Sequence, residues 1–506
     1  MAEKSIVIIG AGIAGLSAGC YARMNGYETK IFEMHSIPGG VCTAWTRGGY
    51  TIDGCIHWLV GSGPGVGYHQ LWREVGAIQG SEMLNLDEYM RVEGADGRAL
   101  ILYSDVDRLE KHLLELAPED TRAIRRITTA IRKFSRFDFR VDKAPELYNL
   151  ADKVGMALGM LPYARTFMHW QKTSVRDFAA KLKNPFLREA FANMGEDVED
   201  LPMLILLMPL AWLNRKIAGY PMGGSIPFAR AIEKRFLDLG GSIQYGARVA
   251  EVLTEPGDRN DRAVGIRLED GTEHRADIVV SAADGRTTIF DMLGGRYLDE
   301  TIEGYYETMK LFPPLLYIGL GVADPLTEIP STISGITFPL SPPIEIDGKR
   351  RERLSFKTYN FDPRLAPEGK SVIVLMLSSE YDRWVELSKD PQRYAGEKEA
   401  ACEAVLDALE QRVPGIRAKV EMRDVATPVT WERFTGNWRG SYEGWLPSGG
   451  SLMRQLKKTL PGLDHFHMIG QWTTPGGGLP PAVSDGRHLV QVLCKQDGKR
   501  FVATEP

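Results

Sequence analysis

The sequence predicts an α/β chain, with a parallel sheet and an attached β-meander completed by a second, discontinuous region of antiparallel strands and helices. Three observations carry that prediction. The run Gly10-Ala11-Gly12-Ile13-Ala14-Gly15 sits between a short apolar strand and a helix near the start of the chain. A second glycine-rich block, Gly470 to Gly478, sits between a strand and a helix near its end. Between them, β-branched runs alternate with turn signals from Val249 to Ser281.

Ser5-Ile6-Val7-Ile8-Ile9 is apolar and β-branched, as a strand buried on both faces must be. Leu16 to Asn25 reads as a helix stopped by Gly26, and Thr29-Lys30-Ile31-Phe32 as a second strand ending at Glu33. Each part has a mechanical duty. Gly10 and Gly12 permit a tight turn and close backbone approach to a pyrophosphate, Gly15 allows close helix–strand packing, and the helix N-terminus faces the anion, with Gly10, Gly12, Ala14 and Gly15 all read as cofactor-binding. Glu33 accepts hydrogen bonds from ribose hydroxyls and repels a 2′-phosphate. An adenine dinucleotide site follows. Gly39-Gly40, with Val41 next, supplies a second stretch of bare backbone. A nicotinamide site has no use for it, whereas a cofactor whose ribityl and pyrophosphate lie across the sheet does.

Near the other end, Phe466 to Ile469 reads as a strand, and Gly470-Gln471-Trp472-Thr473-Thr474-Pro475-Gly476-Gly477-Gly478-Leu479-Pro480 leads into a helix expected near Pro481. Tyr220-Pro221-Met222-Gly223-Gly224-Ser225 precedes an amphipathic helix running to about Leu239. Strands around Val252, over Val264–Leu268 and over Asp277–Ser281 then form an expected three-stranded meander, with turns at Glu255–Arg262 and Asp270-Gly271.

These motifs resemble the FAD-dependent oxidoreductases of the amine-oxidase and carotenoid-desaturase kind. The Pro-Gly-Gly-Gly-Leu-Pro string is similar to that of phytoene desaturases, carotenoid isomerases and retinol saturases. The resemblance implies a Rossmann-like FAD-binding domain of the glutathione-reductase type. It implies adenine contact at Val249 and cofactor-binding positions at Ala282, Gly470, Gln471, Gly478, Leu479 and Val483. It also places Ile56, His57 and Trp58 against the isoalloxazine ring.

At 506 residues the chain can build two or three cores. Its composition, 43% apolar and 25% charged, is that of an ordinary soluble protein. A net charge of −5, without a zinc spacing or an RNA-binding signature, argues against nucleic acid as a partner. Cys20, Cys42, Cys55, Cys402 and Cys494 are scattered, odd in number and without CxxC, which suits reduced thiols in the cytoplasm. Cys42 and Cys55 fall near the expected flavin. No metal site is expected, although His465 and His467 flank Phe466 at strand spacing. Met1-Ala2-Glu3-Lys4 runs directly into the first strand, so no signal peptide is expected. The longest apolar run, Leu201 to Leu213, contains Pro202 and Pro209 and is shorter than the roughly 20 residues that span a bilayer.

Residues 1–75, 221–295 and 445–506 are expected to form the cofactor domain. The intervening 76–220, mainly helical, and 296–444, an antiparallel sheet with helices such as Glu397 to Val413, are expected to form the substrate domain with a cavity above the flavin. In Thr121 to Lys143, Ile124, Ile127, Ile131 and Phe134 repeat at helical spacing beside a basic face. That segment reads either as a solvated helix packed on the core or as a membrane-surface contact admitting a lipid-soluble substrate, peripheral on the inner face of the membrane.

The resemblance implies carbon–carbon bond chemistry on a long isoprenoid of the carotenoid, polyprenyl or retinoid kind, by desaturation, saturation or isomerisation. Hydride exchange takes place at the flavin. The electron partner is left open among oxygen, quinone and nicotinamide. Two other readings stand beside it: a flavin amine oxidase acting on a polar amine, and a non-enzymatic flavin-binding prenoid carrier. No catalytic residue is assigned. His57 is expected as a wall residue able to orient substrate or move a proton, and Trp58, Trp431, Trp438, Trp445 and Trp472 are candidates to line the cavity.

Overall fold

Ser5–Ile9 is the middle strand of a five-stranded parallel sheet, and its apolar run is explained by that position. The order across the sheet is Ser242–Gln244, Glu28–Phe32, Ser5–Ile9, Ile278–Ser281 and Phe466–Met468. The computed structural model describes residues 4–195, 200–447 and 456–506. Met1–Glu3, on which the signal-peptide expectation rests, lie outside the described residues, as do 448–455 of the third expected cofactor segment.

From Gly12 the chain enters helix Ile13–Met24, which ends at Asn25 and Gly26, the latter at φ 70°. This helix packs against helices Ser225–Asp238 and Leu479–Gln496. The second contact is close because small residues meet there. A Cβ on Gly486 would stand 2.5 Å from the Ala18 nitrogen, and the Ser17 hydroxyl donates to the Val483 carbonyl at 2.9 Å.

The meander differs from expectation in its third strand. Val249–Glu255 pairs with Asp261–Leu268, and that strand pairs with Glu273–Arg275. Ile278–Ser281, expected as the third strand, instead joins the parallel sheet beside Ser5–Ile9. Its four residues are all buried, as an interior parallel strand requires, whereas Glu273–Arg275 is charged and suits the edge of a meander.

A seven-stranded sheet lies over the other side of the molecule, in the order Val420–Ala426, Leu315–Val322, Ser371–Ser378, Lys349–Thr358, Ile336–Ile346, Glu88–Glu93, Ala99–Tyr103. Neighbours are antiparallel except Ile336–Ile346 against Glu88–Glu93. Leu316, Ile318 and Leu320 face helix Pro391–Arg412, where Val405, Leu406 and Leu409 complete an apolar core. Tyr317 turns the other way, into the core shared with the first sheet. Helix Pro391–Arg412 begins ahead of the expected Glu397 because Asp390 caps it, accepting from the Gln392 and Arg393 nitrogens. Two strands of this sheet come from the segment expected to be mainly helical.

Apart from the short strands Met83–Leu84 and Ala218–Pro221, the regular structure described in the rest of that segment is helical: Val106–Leu116, Thr121–Phe134, Leu150–Lys172, Pro185–Ala192 and Leu204–Asn214 surround one apolar core. Ile124, Ile127, Ile131 and Phe134 are buried in it. The basic face is partly neutralised, since Arg132 meets Asp107 at 2.6 Å and Glu110 at 2.7 Å. Among the described residues no helix is long and apolar enough to cross a membrane.

Candidate functional site

A cavity of about 1370 Å³ runs between the carboxyl ends of the parallel strands and the seven-stranded sheet. It exceeds the roughly 300–1,000 Å³ usual for a ligand cleft, so one large cofactor and a further molecule can share it.

Glu33 stands at one end, 6% exposed. Its carboxylate accepts from the Ala11 nitrogen at 2.7 Å and from the His35 nitrogen at 2.8 Å. Burial raises its pKa, and these two bonds oppose the shift. Each oxygen retains a lone pair, so Glu33 secures the glycine turn and can still accept from a ribose. Val249 lines the same end.

Gly10, Gly12 and Ala14 follow along the wall. Helix Ile13–Met24 has no side-chain cap at Gly12, leaving first-turn N–H groups available to an anion. Gly39 and Gly40 press against this turn. The Gly39 nitrogen donates to the Ala11 carbonyl at 2.9 Å. Gly39 has φ 113°, and a Cβ on it would stand 2.2 Å from the Cys42 oxygen. A non-glycine residue there is excluded by both conformation and space. Val41 and Ala282 also line the cavity.

At the far end, Gly470, Gln471, Gly478 and Leu479 form the wall. Asp485 ties this loop down: its carboxylate accepts from the Gly470 nitrogen at 3.2 Å and the Thr473 hydroxyl at 2.7 Å, and it pairs with Lys458 at 2.8 Å. Helix Leu479–Gln496 starts slightly ahead of Pro481 and has no side-chain cap at Gly478. A second uncapped helix end therefore opens on the cavity, and its partial positive charge favours negative charge on a bound ring.

Ile56, His57 and Trp58 lie between the two ends. They are positioned by Asp53, whose carboxylate accepts from the Ser225 nitrogen and hydroxyl, each at 2.6 Å, and from the Cys55 and Ile56 nitrogens at 2.9 and 3.2 Å. Gly224 makes this possible, because a Cβ there would stand 1.9 Å from the Asp53 carboxylate. Opposite, on strand Lys349–Thr358, the Lys357 Nζ lies 3.0 Å from the His57 Nδ1. Burial lowers Lys357 to about 7 and is opposed by the Asp53 charge. Burial, with the Lys357 charge second, lowers His57 well below its ordinary range. Glu443 also lines the cavity, and burial raises it to about 7.

Of the residues singled out from the sequence, Gly15 and Val483 stand behind the wall rather than on it. A Cβ on Gly15 would stand 2.0 Å from the Gly10 oxygen, and Val483 is fully buried. Trp58, Trp431 and Trp472 line the cavity, while Trp445 and Trp438 pack with Trp472 and Tyr306. Cys42 and Cys55 line it as free thiols, and Cys55 is raised by its hydrogen bond with Cys42 and by burial. The expected alignment of His465 with His467 is absent. His465 takes φ 61° just before the strand and is exposed, whereas His467 is buried. No cluster of metal-ligating side chains occurs among the described residues.

Lys357 and Glu443 were not legible as site residues. Lys357 offered one signal, its place on the Ser355–Tyr359 side of a strand whose Leu354 and Phe356 face the core.

The elongated cavity fits FAD on three structural grounds: the interlocked glycine turns, the Glu33 carboxylate and the second uncapped helix. A phytoene desaturase (neurosporene-forming) of Rhodobacter capsulatus is 25% identical over 96% of this chain and 93% of its own length. A chloroplastic prolycopene isomerase of Arabidopsis thaliana is 26% identical over 94% of this chain and 80% of its own. The fold is similar to that of an oxidoreductase from Methanosarcina mazei, with TM-score 0.59 and 18% identity, covering 96% of this chain and all of that one. The model of the family described as flavin containing amine oxidoreductase matches residues 13–494, and the chain belongs to that family.

Proposed function

We propose that the protein is an FAD-dependent oxidoreductase acting on carbon–carbon bonds of a long apolar isoprenoid. Residues 1–75, 221–295 and 445–506 hold the cofactor, and 76–220 and 296–444 hold the substrate. One observation carries the reading: the cavity that holds the cofactor end is also walled by Trp58, Tyr89, Leu206 and Trp212. A flavin supplies the two-electron, hydride-accepting or hydride-donating chemistry. The chain's own residues bind an extended hydrocarbon by apolar burial, at about 25 cal/mol per Å², and exclude water from the reacting carbons.

The test is anaerobic incubation of the FAD-loaded protein with an isoprenoid-rich lipid extract, following the flavin spectrum and the product masses. Loss or gain of two hydrogens identifies desaturation or saturation, and an unchanged mass with a new isomer identifies isomerisation. A flavin that ignores the extract but is bleached by primary amines overturns the reading. Oxygen, quinone and nicotinamide are then compared as electron partners.

We infer in addition a cytoplasmic location, peripheral on the inner face of a membrane. Helix Leu150–Lys172 supports this, because it buries little beyond Trp170 and exposes Leu150, Val154, Leu158 and Leu161. Lys153, Arg165 and Lys172 lie on the same helix. Exposed apolar side chains beside cations suit contact with an anionic lipid surface.

A further inference from the structure

We propose that His57 and Lys357 act as one proton-exchanging pair, with His57 Nε2 meeting the substrate and Lys357 Nζ storing the proton. The proposal rests on the oxidoreductase reading above and concerns a step that reading leaves unassigned. Removing two hydrogens from adjacent carbons sends one away as hydride and the other as a proton, so an acceptor for the proton is required. Saturation requires the same group as a donor.

The geometry singles out this pair. The two side chains come from elements remote in sequence and meet at 3.0 Å on the cavity wall. Lys357 is 3% exposed. Its surroundings are the rings of Tyr359 at 4.4 Å, Tyr220 at 5.7 Å and Phe361 at 5.8 Å. The carboxylate facing it, Asp53, already accepts four hydrogen bonds from Ser225, Cys55 and Ile56. The remaining titratable groups around the pair, Tyr220, Tyr317, Tyr359 and Cys55, are held neutral, burial raising the three phenols and a hydrogen bond with Cys42, then burial, raising the thiol. The Asp53 charge acts on Lys357, but no hydrogen bond from Nζ to that carboxylate is present among the described residues. Its Nζ meets an imidazole nitrogen instead.

The step balances. With Lys357 as the free amine, His57 Nδ1–H donates to Nζ, which leaves the Nε2 lone pair free on a side chain that lines the cavity. Nε2 would take the proton from one carbon while the adjacent carbon gives up hydride, for which a bound flavin would be the acceptor, and the C–H electron pair left by the proton would become the new C=C bond. The Nδ1 proton passes to Nζ, and the resulting ammonium faces the Asp53 charge. Burial holds His57 neutral and Lys357 near neutrality, so the amine form is populated at physiological pH.

The FAD-loaded protein, labelled with ¹⁵N-histidine, tests this by NMR from about pH 5 to about pH 9, with His57→Gln to assign the signal. The expected result is a tautomer switch near pH 7: Nδ1–H above it, and Nε2–H below it, where the ammonium donates to Nδ1. Lys357→Met and Lys357→Arg should each hold His57 in one tautomer. Turnover should lose its acid limb near pH 7 in Lys357→Met, and should fall about 10²-fold or more in Lys357→Arg, whose guanidinium cannot give up its proton, and in His57→Gln. A single tautomer in the unsubstituted protein, or a switch that survives Lys357→Met, overturns the proposal. Retained yellow colour in each variant separates failure of the pair from failure of the flavin reading.

Discussion

Burial of Lys357 has a thermodynamic consequence that does not depend on catalysis. Its ordinary pKa lies near 10.5, and in the folded protein it is lowered to about 7. Between those values the unfolded chain binds more protons than the folded one, so this residue's contribution to stability rises with pH from about 7 upward and is flat below. Replacing it with methionine removes the penalty. Lys357→Met should therefore melt higher than the unsubstituted protein, by on the order of a few kcal/mol below pH 7, and the difference should shrink as the pH approaches 10. Thermal unfolding across that range checks the sign. A gap that widens with rising pH would show that Lys357 is stabilised as an ammonium ion.

At the scale of elements, the interlocked glycine turns are the least replaceable part of the site. Gly39→Ala must accommodate a Cβ 2.2 Å from the Cys42 oxygen at φ 113°. The conformation alone costs about 1–2 kcal/mol. FAD affinity should drop about tenfold or more while the far-UV spectrum is retained, and equilibrium binding of FAD measures it. These turns were legible because their chemistry is local: strand, glycines, helix and acid occupy consecutive positions. The burial of Ile278–Ser281 was legible too, but not its partner, because an apolar run of four residues fits a meander and a parallel sheet equally well. His465 failed for a different reason. Strand spacing assumes extended backbone, and a left-handed residue just before Phe466 breaks that assumption. The His57–Lys357 contact joins residues 300 positions apart and carries no periodic signal, so only the packed fold reveals it.

For the whole molecule, the cavity joins a helical segment, a seven-stranded sheet and a parallel sheet, and each supplies wall residues. The sequence motifs concentrate on the cofactor side, because phosphates and ring edges demand particular backbone shapes. The apolar side demands only volume and hydrophobicity, which many sequences satisfy. The proposed membrane contact rests on helix Leu150–Lys172, where Leu158 and Leu161 are 60% and 66% exposed. Leu158→Asp with Leu161→Asp should weaken sedimentation with anionic liposomes by at least about tenfold, since each leucine contributes about 1.5–3 kcal/mol when buried. FAD content should be unchanged. Equal sedimentation of both proteins would place the membrane contact elsewhere or remove it.

Cofactor content decides the matter most directly. The protein is purified, incubated with FAD and freed of excess, and the bound flavin is then released and quantified against protein mass. One FAD per chain, diminished by Gly39→Ala and perturbed in its spectrum by His57→Gln, is the expected result. A colourless protein that takes up no flavin nucleotide would contradict the reading of this cavity.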